Sequence, residues 1–340
     1  MSRRLFSPLR LATAGLVLLV AAAVILVTQK SNKYIEVPDK AHPLTTLVQV
    51  PGGKTQKDGG GIYYVDVFVK KASLLQSSFS FFRPEGSDLI QSSSFVLDGL
   101  SYQQQLDLER ETMKVSQAKA SVVALRALGL HARAVASGVR VVDVEPGSHA
   151  HGVLKAQDVV VEADSVPIHT QQDLFIVMSR HRPGDVVRVG IKRGKEHLSF
   201  RIRTIEDKSH PGRAIIGFIP FEVVTAHLPF AIHFNLQDVG GPSAGLAFAL
   251  EVLEQRGRDV DHGLKIAATG EIQLNGKVTR IGGIKQKTFG ARQAHVDAFL
   301  VPADGDNAKD AKRYAHGLRI VPVESFQQAL QALATLRPKA

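Results

Sequence analysis

The chain has 340 residues, 44% of them hydrophobic, which is enough for two or three globular domains. It contains no cysteine, which excludes disulfides, thiolate catalysis and cysteine-based metal sites. The formal net charge of +10 is spread along the chain, and without tryptophan there is little material for stacking on nucleic-acid bases. We therefore expect no nucleic-acid partner and interpret the charge as a solvated surface that also favours anionic lipid headgroups.

The first predicted element is an apolar helix. Residues 11–27 read LATAGLVLLVAAAVILV without one charge, and arginines precede them at positions 3, 4 and 10. This run is roughly long enough to cross a bilayer. Its small residues at 21–23 lie inside the run, whereas the small residues of a signal-peptide cleavage site follow it. We therefore predict that residues 1–29 are a membrane anchor, with a cleaved signal peptide as the alternative. The arginine excess predicts that the rest of the chain lies outside the cytoplasm.

Residues 30–100 are predicted to form a linker and early strands. Strands are expected at Leu47–Val50 and at Ile62–Val69, with a glycine-rich turn between them. The turn contains Gly53, Lys54 and Thr55, but Val48 stands where a phosphate-binding loop needs another glycine. We find no nucleotide motif and expect no cofactor. A connecting helix is predicted over residues 101–129.

A compact module is predicted over residues 130–206. Its order is a strand at 138–144, PGSHAHGVLKAQDVVVEADSVPI, a helix at 170–180 and the paired strands VVRVGIKRG and HLSFRIRTI. This order resembles a bacterial PDZ domain, which implies binding of extended peptides at a sheet edge. Ala134–Val139 is the candidate for the family's carboxylate-binding loop, and individual peptide-binding residues stay unassigned. A rigid spacer without ligand is the alternative. His149 and His151 lack further clustered ligands, so we expect no metal site.

The stretch GGPSAGLAFAL, residues 240–250, places Ser243 at the start of a predicted helix. One interpretation is a helix N-cap, because serine is favoured there and Gly-Pro often precedes helices. The other is a nucleophile on a tight turn whose backbone N–H groups, around Gly240, Gly241 and Ala244, bind an oxyanion. The stretch alone leaves both open.

A lysine on an apolar helix face supplies the second chemical signal. After Gly282 and Gly283, helical spacing aligns Ile284, Lys287, Ala291 and Ala294, whereas Lys285 shares a wetter face with Thr288 and Arg292. A buried lysine is costly unless it is paired or loses its proton, and a neutral lysine is a general base. A lysine that snorkels to the surface is the alternative.

Together, GPSAG and TGEIQLNGKVTRIGGIKQK resemble the proteolytic domain of Lon proteases, over most of residues 240–330. The resemblance implies a Ser-Lys dyad with Ser243 as nucleophile, Lys287 as general base and Thr269 as the threonine that holds the lysine. The chain departs from the family because Val239 and Gly240 separate Asp238 from Pro242. The nearest histidines for a rival triad, His233 and His295, have no paired acid at a recognisable spacing.

The arrangement of the chain resembles that of the membrane-anchored, PDZ-containing Lon-like proteases of bacteria: it has a membrane anchor and a PDZ-like insert, and it lacks the ATPase module. We therefore expect an α/β (α+β) Lon-type proteolytic domain at residues 207–340, an inserted β-rich PDZ-like domain and one N-terminal transmembrane helix. The early strands within residues 30–100 are expected to belong to the proteolytic domain, with the connecting helix and the PDZ-like module inserted after them. The implied function is ATP-independent serine endopeptidase activity on protein or peptide substrates at a bacterial cell membrane. The Lon resemblance also implies a hexamer. Two alternatives are a membrane-tethered peptide-binding scaffold with an inactive protease fold, and a proteolytic subunit of a separate ATPase.

Overall fold

The computed structural model of the chain describes residues 8–54, 59–96, 100, 102–208, 210–236 and 239–337. Thr55 and Asp238, both considered above, lie outside the described residues. The N-terminal elements are α1 (Pro8–Thr28), β1 (Lys30–Pro38), β2 (His42–Pro43), β3 (Val48–Gln49), β4 (Gly61–Tyr64), β5 (Val67–Ser73), α2 (Leu74–Ser78), a 3-10 turn (Ser80–Phe82), β6 (Asp88–Ile90), α3 (Ser92–Phe95) and α4 (Tyr102–Ala127).

The middle of the chain contains β7 (Arg133–Val144), β8 (Val159–Ala163), β9 (Val166–Pro167), α5 (Gln171–Met178), β10 (Val186–Arg193), β11 (Glu196–Arg203), β12 (Ile205–Glu206) and β13 (Ala214–Ile215). The C-terminal part contains β14 (Phe218–His227), β15 (His233–Phe234), α6 (Gly245–Gln255), β16 (Lys265–Ala268), β17 (Glu271–Ile272), β18 (Val278–Thr279), α7 (Ile284–Gln293), β19 (Ala298–Pro302), α8 (Asn307–Tyr314), β20 (Arg319–Val323) and α9 (Phe326–Thr335).

A five-stranded sheet in the order β2-β4-β16-β19-β20 forms the centre of the C-terminal half. Strands β4, β16, β19 and β20 run parallel, and β2 is antiparallel at the edge. Successive side chains of a strand point to opposite faces. Accordingly, Ala298 and Leu300 pack in the core that contains α4, α6 and α9, whereas Phe299 and Val301 pack in the core that contains α7 and α8. Helix α6 and helix α7 therefore approach the sheet from opposite faces.

Residues 133–227 form a second sheet in the order β11-β10-β8-β7-β14, with β9 paired to β8. Strand β10 pairs with β11 in a regular antiparallel hairpin, and α5 covers the sheet through Leu174, Val177 and Met178. Strand β14 pairs with β7 from Phe218 opposite Val144 to His227 opposite Arg133. The long β7–β14 ribbon therefore joins this module to the C-terminal half.

The predicted strand Ile62–Val69 is wrong as a single element. Strand β4 ends at Tyr64 in the central sheet, and β5 begins at Val67 in a separate sheet with β1 and β6. Between them, the Asp66 carboxylate accepts a hydrogen bond from the backbone N–H of Val67 at 2.7 Å. An aspartate that binds its neighbouring backbone competes with the strand ladder, so the chain changes sheets at this point.

Candidate active site

Ser243 lies on the turn that leads into α6. The helix begins at Gly245 with Ala244 at the N-cap position, so the Ser243 hydroxyl is not its cap. The Ser243 carbonyl accepts hydrogen bonds from Gly270 N–H at 2.7 Å and from the Thr269 hydroxyl at 3.0 Å. On the other side, Ser116 of α4 donates to the Pro242 carbonyl at 2.9 Å. These bonds fix the backbone of the turn and leave the serine side chain for another partner.

That partner is Lys287 on α7. Its Nζ lies 2.5 Å from Ser243 Oγ and 3.5 Å from Thr269 Oγ1. The residue is 3% exposed, so the predicted burial of this lysine is confirmed. Burial lowers the pKa of Lys287 to about 8, although the Asp66 and Glu36 carboxylates act to raise it. A lysine with this pKa loses its proton close to neutral pH and can then accept one from a hydroxyl.

The neighbouring Lys285 has a different environment. Its Nζ forms an ion pair with Asp88 at 2.7 Å, and its side chain is 25% exposed. The face it shares is drier than the sequence predicts, because Thr288 is fully buried and donates its hydroxyl to the Ile284 carbonyl. The charge of Lys285 is therefore stabilised mainly by its ion pair with Asp88 and less by contact with water.

Gly240 and Gly241 let α4 approach the turn closely. A Cβ on Gly240 would lie 2.6 Å from Cβ of Glu109, and Gly241 has φ +83°, a conformation that favours glycine. The Gly241 N–H donates to the Glu109 carbonyl at 2.9 Å. Gly241 was expected to bind an oxyanion, and this hydrogen bond removes it from that role. The backbone N–H groups of Ser243 and Ala244 donate to no acceptor among the described residues.

Three carboxylates that the sequence analysis missed line the same cavity as Ser243 and Lys287. Glu36 comes from β1, Asp66 from the break between β4 and β5, and Glu109 from α4. Burial raises the pKa of each of them, most directly because the charged form is poorly solvated. Asp66 had a local signal, since an acidic residue interrupts an apolar strand there; Glu36 and Glu109 had none.

The cavity has a volume of about 610 Å³. Its apolar wall comes from six side chains of the N-terminal half: Val67, Phe68, Val69, Phe95, Tyr102 and Leu106. Arg280 and the glycines at 282–283 line the side next to α7. Its lining among the described residues includes no histidine, so neither His233 nor His295 contributes there. The arrangement offers a hydroxyl and a buried amine, next to the backbone N–H groups of Ser243 and Ala244, which have no acceptor among the described residues. Acyl transfer uses a nucleophile, a base and N–H donors of this kind.

The PDZ-like module has a separate groove beside its helix, and the candidate carboxylate-binding loop is not part of that groove. Ala134–Val139 is part of strand β7, where it pairs with β14, and so does not form a loop. The groove lies between α5 and the chain at 212–220, with Leu174, Phe175, Ile215 and Phe218 among its lining. The segment at 212–220 follows the predicted module in sequence, which is why a strand-by-strand analysis of residues 130–206 could not find it.

Comparison with known proteins gives two domain matches. Residues 227–335 match the model of the Lon protease (S16) C-terminal proteolytic domain, and residues 126–204 match the PDZ domain model. The human mitochondrial Lon protease homolog is 31% identical over 168 residues, covering 46% of this chain and 17% of that protein. Lon protease 1 of Myxococcus xanthus is 38% identical over 119 residues, covering 32% of this chain and 14% of that protein. The matches span less than a fifth of the length of these relatives.

The PDZ domain of an SdrC-like protein from Listeria monocytogenes is 27% identical in a structural match with a TM-score of 0.23, covering 25% of this chain and 87% of that domain. The PDZ assignment rests on the family model for residues 126–204. Residues 227–335 are thus a proteolytic domain of the Lon protease (S16) family, joined in this chain to a PDZ domain.

Proposed function

We propose that this chain is a serine endopeptidase with a Ser243–Lys287 dyad. The observation that carries the proposal is the contact of 2.5 Å between Lys287 Nζ, on a buried side chain, and Ser243 Oγ. Neutral Lys287 takes the hydroxyl proton as Oγ attacks the scissile carbonyl, and then gives that proton to the leaving amine. Water attacks the resulting ester, with Lys287 again as the base, and releases the acid and free Ser243.

Thr269 has a positioning role in this mechanism, because its hydroxyl reaches both the Ser243 carbonyl and Lys287 Nζ. The N–H groups of Ser243 and Ala244 bind the oxyanion of the tetrahedral intermediate. Loss of one such donor in comparable enzymes lowers the rate by about 10²–10³. Gly240 and Gly241 act indirectly, by admitting α4 against the turn.

The decisive experiment is hydrolysis of casein by the purified full-length chain in detergent, without nucleotide. Wild type should cleave, and Ser243→Ala should lose activity by several orders of magnitude while its thermal unfolding stays unchanged. Equal activity of both proteins would remove Ser243 from the mechanism. Cleavage only after addition of ATP and a second protein would favour the alternative of a subunit that serves a separate ATPase. Peptide binding without any cleavage would favour the scaffold.

The proposal includes a membrane anchor. Residues 11–28 form a helix with a mean hydropathy of 2.6, and none of these residues is buried by the rest of the chain. We place the PDZ and proteolytic domains outside the cytoplasm of a bacterial cell because of the arginines that precede the helix. External protease should then digest the C-terminal part in intact spheroplasts. Full protection until lysis would reverse the orientation.

The PDZ groove and the oligomeric state complete the proposal. The groove beside α5 engages an extended segment of the substrate, so blocking its apolar lining with Leu174→Glu should raise KM for protein substrates more than for short peptides.

A hexamer follows from the Lon resemblance, and the mass of the detergent-solubilised particle, measured by light scattering, tests it.

A further inference from the structure

Three phenylalanines are exposed on the turn that follows α2. Phe79, Phe81 and Phe82 expose 53%, 90% and 51% of their surface. The Phe82 ring meets both of the others edge to face, with centroids 5.4 Å from Phe81 and 6.4 Å from Phe79. A contiguous cluster of exposed aromatic side chains indicates a surface that interacts with a partner or a membrane. We call these three residues the phenylalanine cluster.

Hydrogen bonds hold this turn in a defined conformation. The Ser73 hydroxyl accepts from Gln76 N–H, and the Gln76 amide oxygen accepts from Ser73 N–H, both at 3.1 Å. The Arg83 guanidinium donates to the Gln76 carbonyl at 2.7 Å and so ties the far end of the turn to its beginning. The phenylalanine rings are thus presented by a fixed scaffold.

The turn is joined directly to the end of the apolar helix α1. Leu74 N–H donates to the Gln29 carbonyl at 2.9 Å, and Lys30 is paired with Ser73 across the β1–β5 ladder. Val27 of α1 and Phe82 of the cluster line the same hollow. The apolar surface of the cluster therefore continues the uncovered apolar surface of α1 at the level where the predicted span ends.

Cations surround this junction. Lys30, Lys33, Lys70 and Lys71 are all exposed, and none of them forms an ion pair with a described residue. Glu85 is an exposed carboxylate shortly after the turn. The local excess of positive charge complements anionic lipid headgroups, and phenylalanine is among the apolar side chains that insert at the boundary between headgroups and acyl chains.

We infer that the phenylalanine cluster inserts into the headgroup region of the bilayer that α1 crosses, with Lys70 and Lys71 binding anionic lipid. The inference rests on the proposed anchor and is independent of proteolysis. The junction is connected to the catalytic cavity by β1, which runs from Lys30 to Glu36 in the cavity wall and has an irregular register between Lys30 and Tyr34. Six residues of fully extended strand would span roughly 20 Å, so the cavity wall lies no farther than that from the junction along β1.

The absence of tryptophan from the chain allows a direct test. The full-length Phe81→Trp protein is reconstituted into vesicles of phosphatidylcholine and phosphatidylglycerol in equal parts, with and without bromine on the acyl chains. The matched control is Phe175→Trp in the PDZ groove, where the side chain is 49% exposed. The introduced tryptophan at 81 should emit at shorter wavelength than the control and be quenched several-fold more strongly by brominated lipid. Lys70→Glu with Lys71→Glu should weaken that quenching.

The outcomes separate the inference from its premise. Flotation of the protein with the vesicles tests the anchor, and protein that fails to float removes the anchor and the inference together. Protein that floats with an unquenched tryptophan at position 81 overturns the inference alone. A blue shift without quenching by bromine also overturns it, since the cluster would then be covered by protein, such as a second copy of this chain. Equal quenching in vesicles of phosphatidylcholine alone, unchanged by the lysine substitutions, would eliminate the role of Lys70 and Lys71.

Discussion

The protonation of Lys287 depends on its burial on α7 and on two carboxylates from distant parts of the chain. Desolvation on α7 lowers its pKa to about 8, while Asp66 and Glu36 oppose this effect through their negative charge. The fraction of Lys287 in the neutral form, which can act as the base, therefore increases as the pH rises toward and past this value. Activity in the proposed mechanism should follow the same curve, far below the pKa of ~10.4 that an exposed lysine has.

Substitution of Lys287 is the first residue-scale prediction. Lys287→Ala and Lys287→Arg should both abolish turnover, because alanine has no base and a guanidinium keeps its proton at working pH. Lys285→Ala is the matched control on the same helix; loss of its partly exposed pair with Asp88 should cost about 0–1 kcal/mol of stability and leave most activity. The readout is the initial rate of peptide hydrolysis. An inactive Lys285→Ala together with an active Lys287→Ala would reverse the assignment.

Neutralisation of Asp66 should shift the pH profile in a defined direction. The Asp66 carboxylate favours the ammonium form of Lys287, so Asp66→Asn should lower the pKa of the lysine further below about 8. The rising limb of kcat/KM against pH should then move to lower pH. Asp88→Asn serves as the control, since Asp88 pairs with Lys285. A limb that stays in place or moves to higher pH would show that Asp66 does not act on Lys287 by charge.

At the scale of the element, α6 has buried acidic residues at its C-terminal end. Burial raises the pKa of Glu251 to about 8 and that of Glu254 to about 7. Gln255 donates to Glu251 at 2.8 Å and to the Val48 carbonyl at 2.6 Å, so the same network ties α6 to β3. A raised carboxylate pKa means that the folded state binds protons more tightly than the unfolded state does.

Glu251 and Glu254 should consequently make the protein less stable as pH rises from about 5 to about 8. The contribution of Glu251 is fully present below the ordinary glutamate pKa and is lost as pH passes its folded value of about 8. Glu251→Gln should flatten this decline and raise the free energy of unfolding at high pH by roughly 1–2 kcal/mol. Thermal unfolding across this pH range measures the effect, with the exposed Glu85→Gln as control. An unchanged slope in Glu251→Gln would locate the pH dependence elsewhere.

At the scale of the whole molecule, α4 is where the PDZ module and the proteolytic domain meet. Lys119 of α4 is 8% exposed, and its Nζ lies 3.3 Å from Glu222 of β14 and 3.3 Å from the Gln273 amide oxygen after β17. The buried ammonium of Lys119 thus contacts both the β7–β14 ribbon and the turn after β17 in the proteolytic domain. Removing such a charge leaves its partner carboxylate less compensated.

Lys119→Met should therefore lower stability by roughly 1–3 kcal/mol. The exposed pair of Lys114 with Glu111 on the same helix provides the control, and Lys114→Met should change stability by less than about 0.5 kcal/mol. The measurement is the midpoint of thermal unfolding for the full chain. Equal midpoints for the two variants would mean that Lys119 does not couple the domains.

Local patterns in the sequence placed the two residues of the proposed dyad and the apolar helix, whereas the resemblance to Lon proteolytic domains joined Ser243 and Lys287 into a pair. A period of 3.6 residues placed Lys287 on the buried face of α7, and the Gly-Pro-Ser stretch placed Ser243 on the turn before α6. Each of these inferences used residues within about two helical turns of one another. The charge-free run at residues 11–27 likewise needed only composition and length to predict a membrane-spanning helix.

Only the tertiary structure decided what surrounds the dyad. Asp66 and Glu36 meet Lys287 across more than half of the chain, and Glu109 occupies the Gly241 N–H that the sequence analysis had reserved for an oxyanion. The PDZ groove uses residues 212–220, beyond the module that local strand patterns outlined. The physical reason is the same in each case. Periodicity reports which face of an element is buried, whereas the partner on that face depends on how sheets and helices pack together over long sequence separations.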